Sequence, residues 1–299
     1  MPKGFLPVSG KSGSSYCRFM SPYWRYLYFC PDLKPATMIQ QEFAKNVIKI
    51  VQADPGVIGL AAAGSFISGQ LDEFSDLDLV LVTRDRVGDS KEKMMRYAKS
   101  FGELISGFTG EHVGEPRLLI CLYDNPLLHV DIKFLVLDEF RDRVENPIIL
   151  FERDKALSDV LESTVANWPL PDYQWIEDRF WTWVHYLVGK LERGELFECI
   201  DGLSFLRARV LAPMLQMKKN NLPRGLRKLE MELPSDDLEN LKQTVPVYNR
   251  NSIEQALIAS IEMYKRLRPQ LFGKDITLQS KAELKSMEYV DQYISRGAR

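Results

Sequence analysis

Asp76 and Asp78 stand two residues apart at the head of the apolar run Leu77 to Val82. In a strand, alternate side chains share a face, so both carboxylates aim one way while Leu77 and Leu79 aim into the opposite layer. Two carboxylates this close repel, and one tends to hold its proton unless a cation sits between them. A divalent ion is the usual remedy, and hard oxygen donors with room for phosphate suit magnesium. An earlier apolar run, Val57 to Ala63, is followed by Gly64-Ser65 and Gly69. The stretch therefore predicts a strand, a glycine-rich turn, and a second strand that opens with carboxylates.

These residues need elements to position them. From Met38 to Gln52, Ile39, Phe43, Val47, Ile48 and Val51 recur at intervals of three and four, which predicts an amphipathic helix. Asp54-Pro55-Gly56 ends it and turns the chain into the first strand. After a polar turn, Ser90 is placed to cap a helix over Lys91 to Ile105, with Met94, Met95, Ala98, Phe101, Leu104 and Ile105 as its buried side. Residues 106–116 suggest a glycine-containing loop, and Arg117 to Tyr123 a strand. Over Leu127 to Leu137 the pattern alternates, with His129, Asp131 and Lys133 on one face and Val130, Ile132 and Phe134 on the other. By itself that polar face is compatible with a solvated edge strand. Lys133 is equally readable as a phosphate contact or a solvated lysine, and His129 more readily as a structural or solvent-facing residue than as a ligand.

Asp138 to Asp154 is charge-rich and contains Pro147, which suggests a connector, and Asn167 to Pro171 is a second break. Beyond residue 172 helical periodicity dominates. Trp175, Ile176, Phe180, Trp183, Val184, Leu187 and Leu191 form one wide apolar stripe, more readily core than a platform for a stacked ring. Further helices are expected over 196–217, kinked or divided at Pro213, and over 226–233, 236–245, 252–267 and 280–294. The fold expected is α+β: a leader over 1–35, a mixed sheet with flanking helices over 36–150, and an all-α helical bundle over 151–299. The leader carries Gly10-Lys11-Ser12, but five residues separate Gly4 from Gly10 where a phosphate-binding loop needs four.

Residues 57–83 resemble the signature of the nucleotidyltransferase superfamily, the fold of DNA polymerase beta and of aminoglycoside-type adenylyltransferases. That pattern runs Gly-Ser, three residues, Gly, about five residues, then Ser-Asp-x-Asp-Leu. Gly64, Ser65, Gly69, Ser75, Asp76, Asp78 and Leu79 fill every place. One departure is that Phe66, Ile67 and Ser68 stand where many members carry an arginine. The resemblance implies that Gly64 and Ser65 hold a nucleoside triphosphate and that Asp76 and Asp78 bind magnesium. It also implies a third carboxylate on an adjacent strand, for which Asp131 is the candidate in its run. Two magnesium ions and ATP as nucleotide donor follow from the same resemblance. The reaction would be attack of an acceptor hydroxyl on the α-phosphorus with loss of pyrophosphate. The resemblance further implies a small hydroxylated acceptor between the two domains. If that acceptor is cationic, Glu177, Asp178, Glu192 and Glu195 are carboxylates available to meet it, although each also reads as part of a solvated helix face.

Composition limits the alternatives. At 299 residues with 45% apolar side chains, the chain can hold two modest domains with proper cores. A net charge of −2 without a large basic block weighs against a long nucleic acid as partner. No apolar run is long enough to span a bilayer, and the first residues have no signal-peptide core, so a cytoplasmic location is the expectation. Cys17, Cys30, Cys121 and Cys199 show no metal-ligand spacing and read as reduced thiols. Competing functions are nucleotidyl modification of a protein or an RNA end, and a catalytically silent nucleotide-binding module. Three crowded acids argue against silence.

Overall fold

The computed structural model describes residues 38–294. The leader, with Gly10-Lys11-Ser12, the aromatic residues Tyr23 to Phe29, and both Cys17 and Cys30, lies outside the described residues. The chain divides into two compact units between Asn167 and Trp168.

The first unit is built on a six-stranded mixed sheet. Its strands are β1 (Val57–Ala62), β2 (Leu77–Thr83), β3 (Glu103–Gly110), β4 (Glu115–Asp124), β5 (Leu128–Leu135) and β6 (Ile148–Glu152). They lie in the order β3-β4-β5-β2-β1-β6. The β2–β5 pair is parallel, and every other neighbouring pair is antiparallel. Helices α1 (Ile39–Ala53) and α3 (Lys91–Phe101) cover one face of the sheet, and the four-residue α2 (Ser65–Ser68) lies between β1 and β2.

Alternation along the central strands sets the two faces. Leu77, Leu79 and Leu81 of β2 and Val130, Ile132 and Phe134 of β5 pack with Phe43 and Val47 of α1 and with Met94 and Ala98 of α3. All six strand side chains are buried, each worth about 1.5–3 kcal/mol relative to exposure. On the opposite face, Val82 and Leu135 pack with Phe140 and with Leu157 and Val160 of α4 (Ala156–Ser163). That cover sits at one end of the parallel pair, and Asp78 and Asp131 lie at the other.

Four elements, α3, β3, β6 and α4, differ from the sequence expectation. Helix α3 stops at Phe101, and Leu104 and Ile105 belong to β3. The glycines of this segment mark close approach rather than a loop: a Cβ on Gly107 would lie 2.9 Å from Met95 Sδ, and one on Gly110 would lie 2.8 Å from the Glu115 carbonyl. The charge-rich connector holds β6, an edge strand entered just after Pro147, and α4 follows it.

Described by itself, the second unit is helical: α5 (Tyr173–Glu192), α6 (Leu196–Leu206), a π-helical turn (Arg207–Leu211), α7 (Ala212–Lys218), α8 (Leu229–Glu232), α9 (Ser235–Lys242), α10 (Arg250–Leu271) and α11 (Ser280–Tyr293). The chain runs on through Pro213 because it falls in the first turn of α7, where the widened π turn ends and a missing N–H costs little. The aromatic stripe of α5 is largely core. Phe180 stacks on Tyr264 of α10 at 3.6 Å, and Trp181, outside the expected stripe, is also buried. Trp175 stays 40% exposed against Trp183. Glu177, expected on a solvated face, is fully buried. It accepts from Tyr264 Oη (2.5 Å) and from the Gln279 N–H (2.9 Å), and pairs with Arg268 (3.2 Å).

Candidate active site

The parallel register of β2 and β5 brings the acids together. Asp78 lies directly beside Asp131, with Leu77 beside Val130 and Val80 beside Lys133. Register partners on neighbouring strands point to the same face, so the two carboxylates share the face opposite α1 and α3. Asp76 precedes β2 by one residue, partly exposed. Burial pushes the Asp131 carboxyl above its ordinary pKa; His129 opposes that rise, and the negative charge of Asp76 adds to it. Asp131 Oδ1 lies 2.9 Å from His129 Nε2. The structure thus brings Asp76, Asp78 and Asp131 into one neighbourhood, with His129 on its rim.

Gly64 is fixed by what surrounds it. Its φ of 59° and ψ of −134° lie where only glycine is comfortable. A Cβ there would lie 2.0 Å from Asp78 Oδ2, so the missing side chain is what admits the aspartate. The Ala63 N–H donates to the Asp78 carbonyl (3.0 Å), which ties the end of β1 to the acid strand. Ser65 opens α2, and Gly69 closes it in the left-handed region at φ 65°. The Gly64 N–H donates to Glu145 Oε1 (3.0 Å), a residue 81 positions on in the link between β5 and β6.

Ser75 closes the turn that precedes the acids. Its hydroxyl donates to Asp72 Oδ1 (2.8 Å) and accepts from the Asp72 N–H (3.0 Å). Gln40, fully buried on α1, donates through Nε2 to the carbonyls of Ser75 (2.6 Å) and Asp72 (3.0 Å). Lys133 shares the face of Asp131 and pairs with Glu115 Oε2 (2.8 Å). Arg117 donates to the same carboxylate through Nε (2.8 Å) and Nη2 (2.9 Å). With Arg117 first and Lys133 next, these donors hold the Glu115 carboxyl down at about 2 against some opposing burial. Gln40, Glu115 and Glu145 were not singled out from the sequence. Each acts over a long span or across strands, and no local spacing marks such a contact.

Both described cysteines are buried, and burial pushes Cys121 up to about 12 and Cys199 to about 11, so neither is a ready nucleophile. In the second unit, Glu192 pairs with Arg250, Glu195 with Lys190 (2.6 Å), and Asp178 accepts from Gln174 and Gln279 (2.8 Å each). No helix among the described residues is long and apolar enough to cross a membrane.

The three carboxylates Asp76, Asp78 and Asp131 offer oxygen donors of the kind a hard divalent cation takes. Among the described residues no three His, Cys, Asp or Glu side chains stand close enough to hold an ion by themselves. Magnesium sites built for polyphosphates commonly use one or two carboxylates and complete the shell from phosphate and water, and the Asp78–Asp131 pair fits that arrangement.

The family model for streptomycin adenylyltransferase matches residues 38–296. No sequence match is found among curated proteins. Among solved structures, the chain is similar to an aminoglycoside 6-adenyltransferase from Bacillus subtilis, at 16% identity and TM-score 0.37, over 85% of this chain and 98% of that one. It is also similar to a nucleotidyltransferase-like protein from Exiguobacterium sibiricum (12% identity, TM-score 0.35, 86% of this chain and 91% of that one). A third is a spectinomycin adenyltransferase from Enterococcus faecialis solved with ATP and spectinomycin (14% identity, TM-score 0.28, 85% and 98%). The family match, which runs through every described residue, carries the assignment: the chain belongs to the streptomycin adenylyltransferase family and is an adenylyltransferase.

Proposed function

We propose that this adenylyltransferase moves AMP from ATP to a hydroxyl of a small, aminoglycoside-like molecule, with magnesium, and releases pyrophosphate. The observation that carries this reading is the register pairing of Asp78 with Asp131, next to a glycine whose absent side chain makes room for Asp78. Asp78 and Asp131, with Asp76 just ahead of β2, would hold the metal beside the triphosphate, and phosphate oxygens and water would complete its shell. When bound, magnesium offsets the negative charge that grows on the phosphates as the α-phosphorus is attacked.

The chain's own residues do the remaining work. Gly64 and Gly69 let the backbone come close to phosphate oxygens, and Ser65 adds a hydroxyl donor. Ser75 and Gln40 hold the turn so that Asp76 and Asp78 leave it at a fixed angle. Asp131 would orient the acceptor hydroxyl or take its proton. Its raised pKa moves it toward the range useful for a base, and His129 steadies its carboxylate. Lys133 supplies a positive charge on the same face, its reach set by the pair with Glu115.

The test is pyrophosphate release with ATP and magnesium across streptomycin, spectinomycin, other aminoglycosides, tRNA and protein extract. Release dependent on a small aminocyclitol or aminoglycoside is expected. Asp76→Asn together with Asp78→Asn should lower turnover by at least about a thousandfold while leaving the melting temperature within a few degrees. Full turnover in that double variant would remove the catalytic assignment.

A further inference from the structure

The Gly64 N–H, which the proposed function aims at the triphosphate, already has an anionic partner. Glu145 Oε1 accepts from it at 3.0 Å. To that amide, a carboxylate oxygen and a phosphate oxygen are chemically alike, since both are charged acceptors of a backbone N–H. One N–H has room for one such strong partner at this geometry, and Asp78 Oδ2 occupies the space where a Cβ of the same glycine would stand.

Neither partner needs this contact for its own anchorage. The link that carries Glu145 is pinned through Arg143, which donates to Thr164 Oγ1 (2.5 Å), the Thr164 carbonyl (2.8 Å) and Asn146 Oδ1 (2.7 Å). The Arg143 carbonyl in turn accepts from the Asn167 N–H (2.9 Å). The turn at Gly64 is held by its own backbone, through the Phe66 N–H to the Ala63 carbonyl (3.3 Å) and the Ile67 N–H to the Gly64 carbonyl (3.1 Å). The Glu145 carboxylate is thus presented by one fixed segment to an amide fixed by another.

We propose that Glu145 is a positioning residue that stands in for phosphate at the Gly64 amide and is exchanged for the nucleotide's phosphate on binding. The inference rests on the reading that Gly64 faces the triphosphate. Without nucleotide, Glu145 fills the acceptor place at the Gly64 amide. With nucleotide it is displaced, because two anions at one donor repel in a partly desolvated place. The exchange weakens nucleotide binding and, by the same amount, favours departure of pyrophosphate after transfer.

The test is calorimetric titration of the full chain, its Glu145→Gln variant and its Glu145→Ala variant with ATP, pyrophosphate and adenosine, in magnesium buffer, beside thermal melts. Loss of the competing charge should lower the Kd for ATP and pyrophosphate by about three- to tenfold in Glu145→Ala, and by less in Glu145→Gln, which keeps a neutral acceptor. Adenosine, lacking phosphate, should show no gain. A merely structural Glu145 would not separate phosphate-bearing ligands from the nucleoside. If Glu145→Ala melts early, the Glu145→Gln result decides. Unchanged or weaker ATP binding in a folded variant, with the parent chain binding ATP, overturns the inference alone. An equal gain for adenosine does the same. If neither the parent nor the variants bind ATP, the reading that Gly64 faces the triphosphate of ATP falls and takes this inference with it.

Discussion

Gly64 is the residue at which backbone shape and carboxylate placement meet. Gly64→Ala would force a side chain into a positive-φ conformation and into the Asp78 carboxylate 2.0 Å away. The backbone strain alone is about 1–3 kcal/mol. Turnover with ATP should fall at least about a hundredfold and the melting temperature should drop, because Asp78 must move. Glu115 makes a prediction with a sign in pH. Its carboxyl is held at about 2, below its unfolded value, by Arg117 and Lys133. Its stabilisation is therefore complete above the unfolded pKa near 4.5 and is lost as pH falls from there toward 2. Glu115→Gln should destabilise the chain by about 1–2 kcal/mol at pH 7, after allowance for solvent screening. In urea titrations the gap between parent and variant should hold at pH 6 and narrow as pH is lowered from 4.5 toward 2. That Gly64 meets Asp78 was within reach of the sequence because Gly64, Asp76 and Asp78 sit in one short stretch with fixed spacing, whereas Asp131 entered only through the family resemblance. Glu145 and Gln40 were not, since what matters about them is a partner on another element, and Glu115 adds to its strand neighbour Arg117 a cross-strand partner, Lys133.

Among elements, β2 and β5 were legible because alternation of apolar and polar residues has a single structural meaning when one face is buried. Helices α1, α5 and α10 were legible for the corresponding reason at the helical period. Strand β3 was hidden by glycines, which read as a loop in sequence but serve the packing of Met95 and the approach of Glu115. Strand β6 and helix α4 were hidden by charge and by Pro147. Glu177 was misplaced on a solvated face because its helix is polar enough around it to disguise burial. The network it anchors joins α5 to α10 and to Gln279 at the head of α11. Arg268 balances Glu177 and also pairs with Glu283 (2.8 Å). Arg268→Ala should therefore cost about 3–5 kcal/mol in denaturant unfolding, because a fully buried carboxylate loses its counter-charge. A loss below about 1 kcal/mol would mean that Tyr264 and the Gln279 amide satisfy Glu177 unaided.

In the whole molecule, the two compact units each own a hydrophobic core, and each core encloses one described thiol. Cys121 lies in the sheet core of the first unit, and Cys199 lies among α5, α6 and α10 in the second. Once Cys17 and Cys30 are replaced by serine, the pair becomes two clocks, one in each unit. Alkylation of either sulfur must wait for its own unit to open, since a shielded, protonated thiol does not react from the closed state. Mass-resolved labelling at rising urea would time each unit separately, and the tick that slows when ATP is added would say which of the two the nucleotide braces.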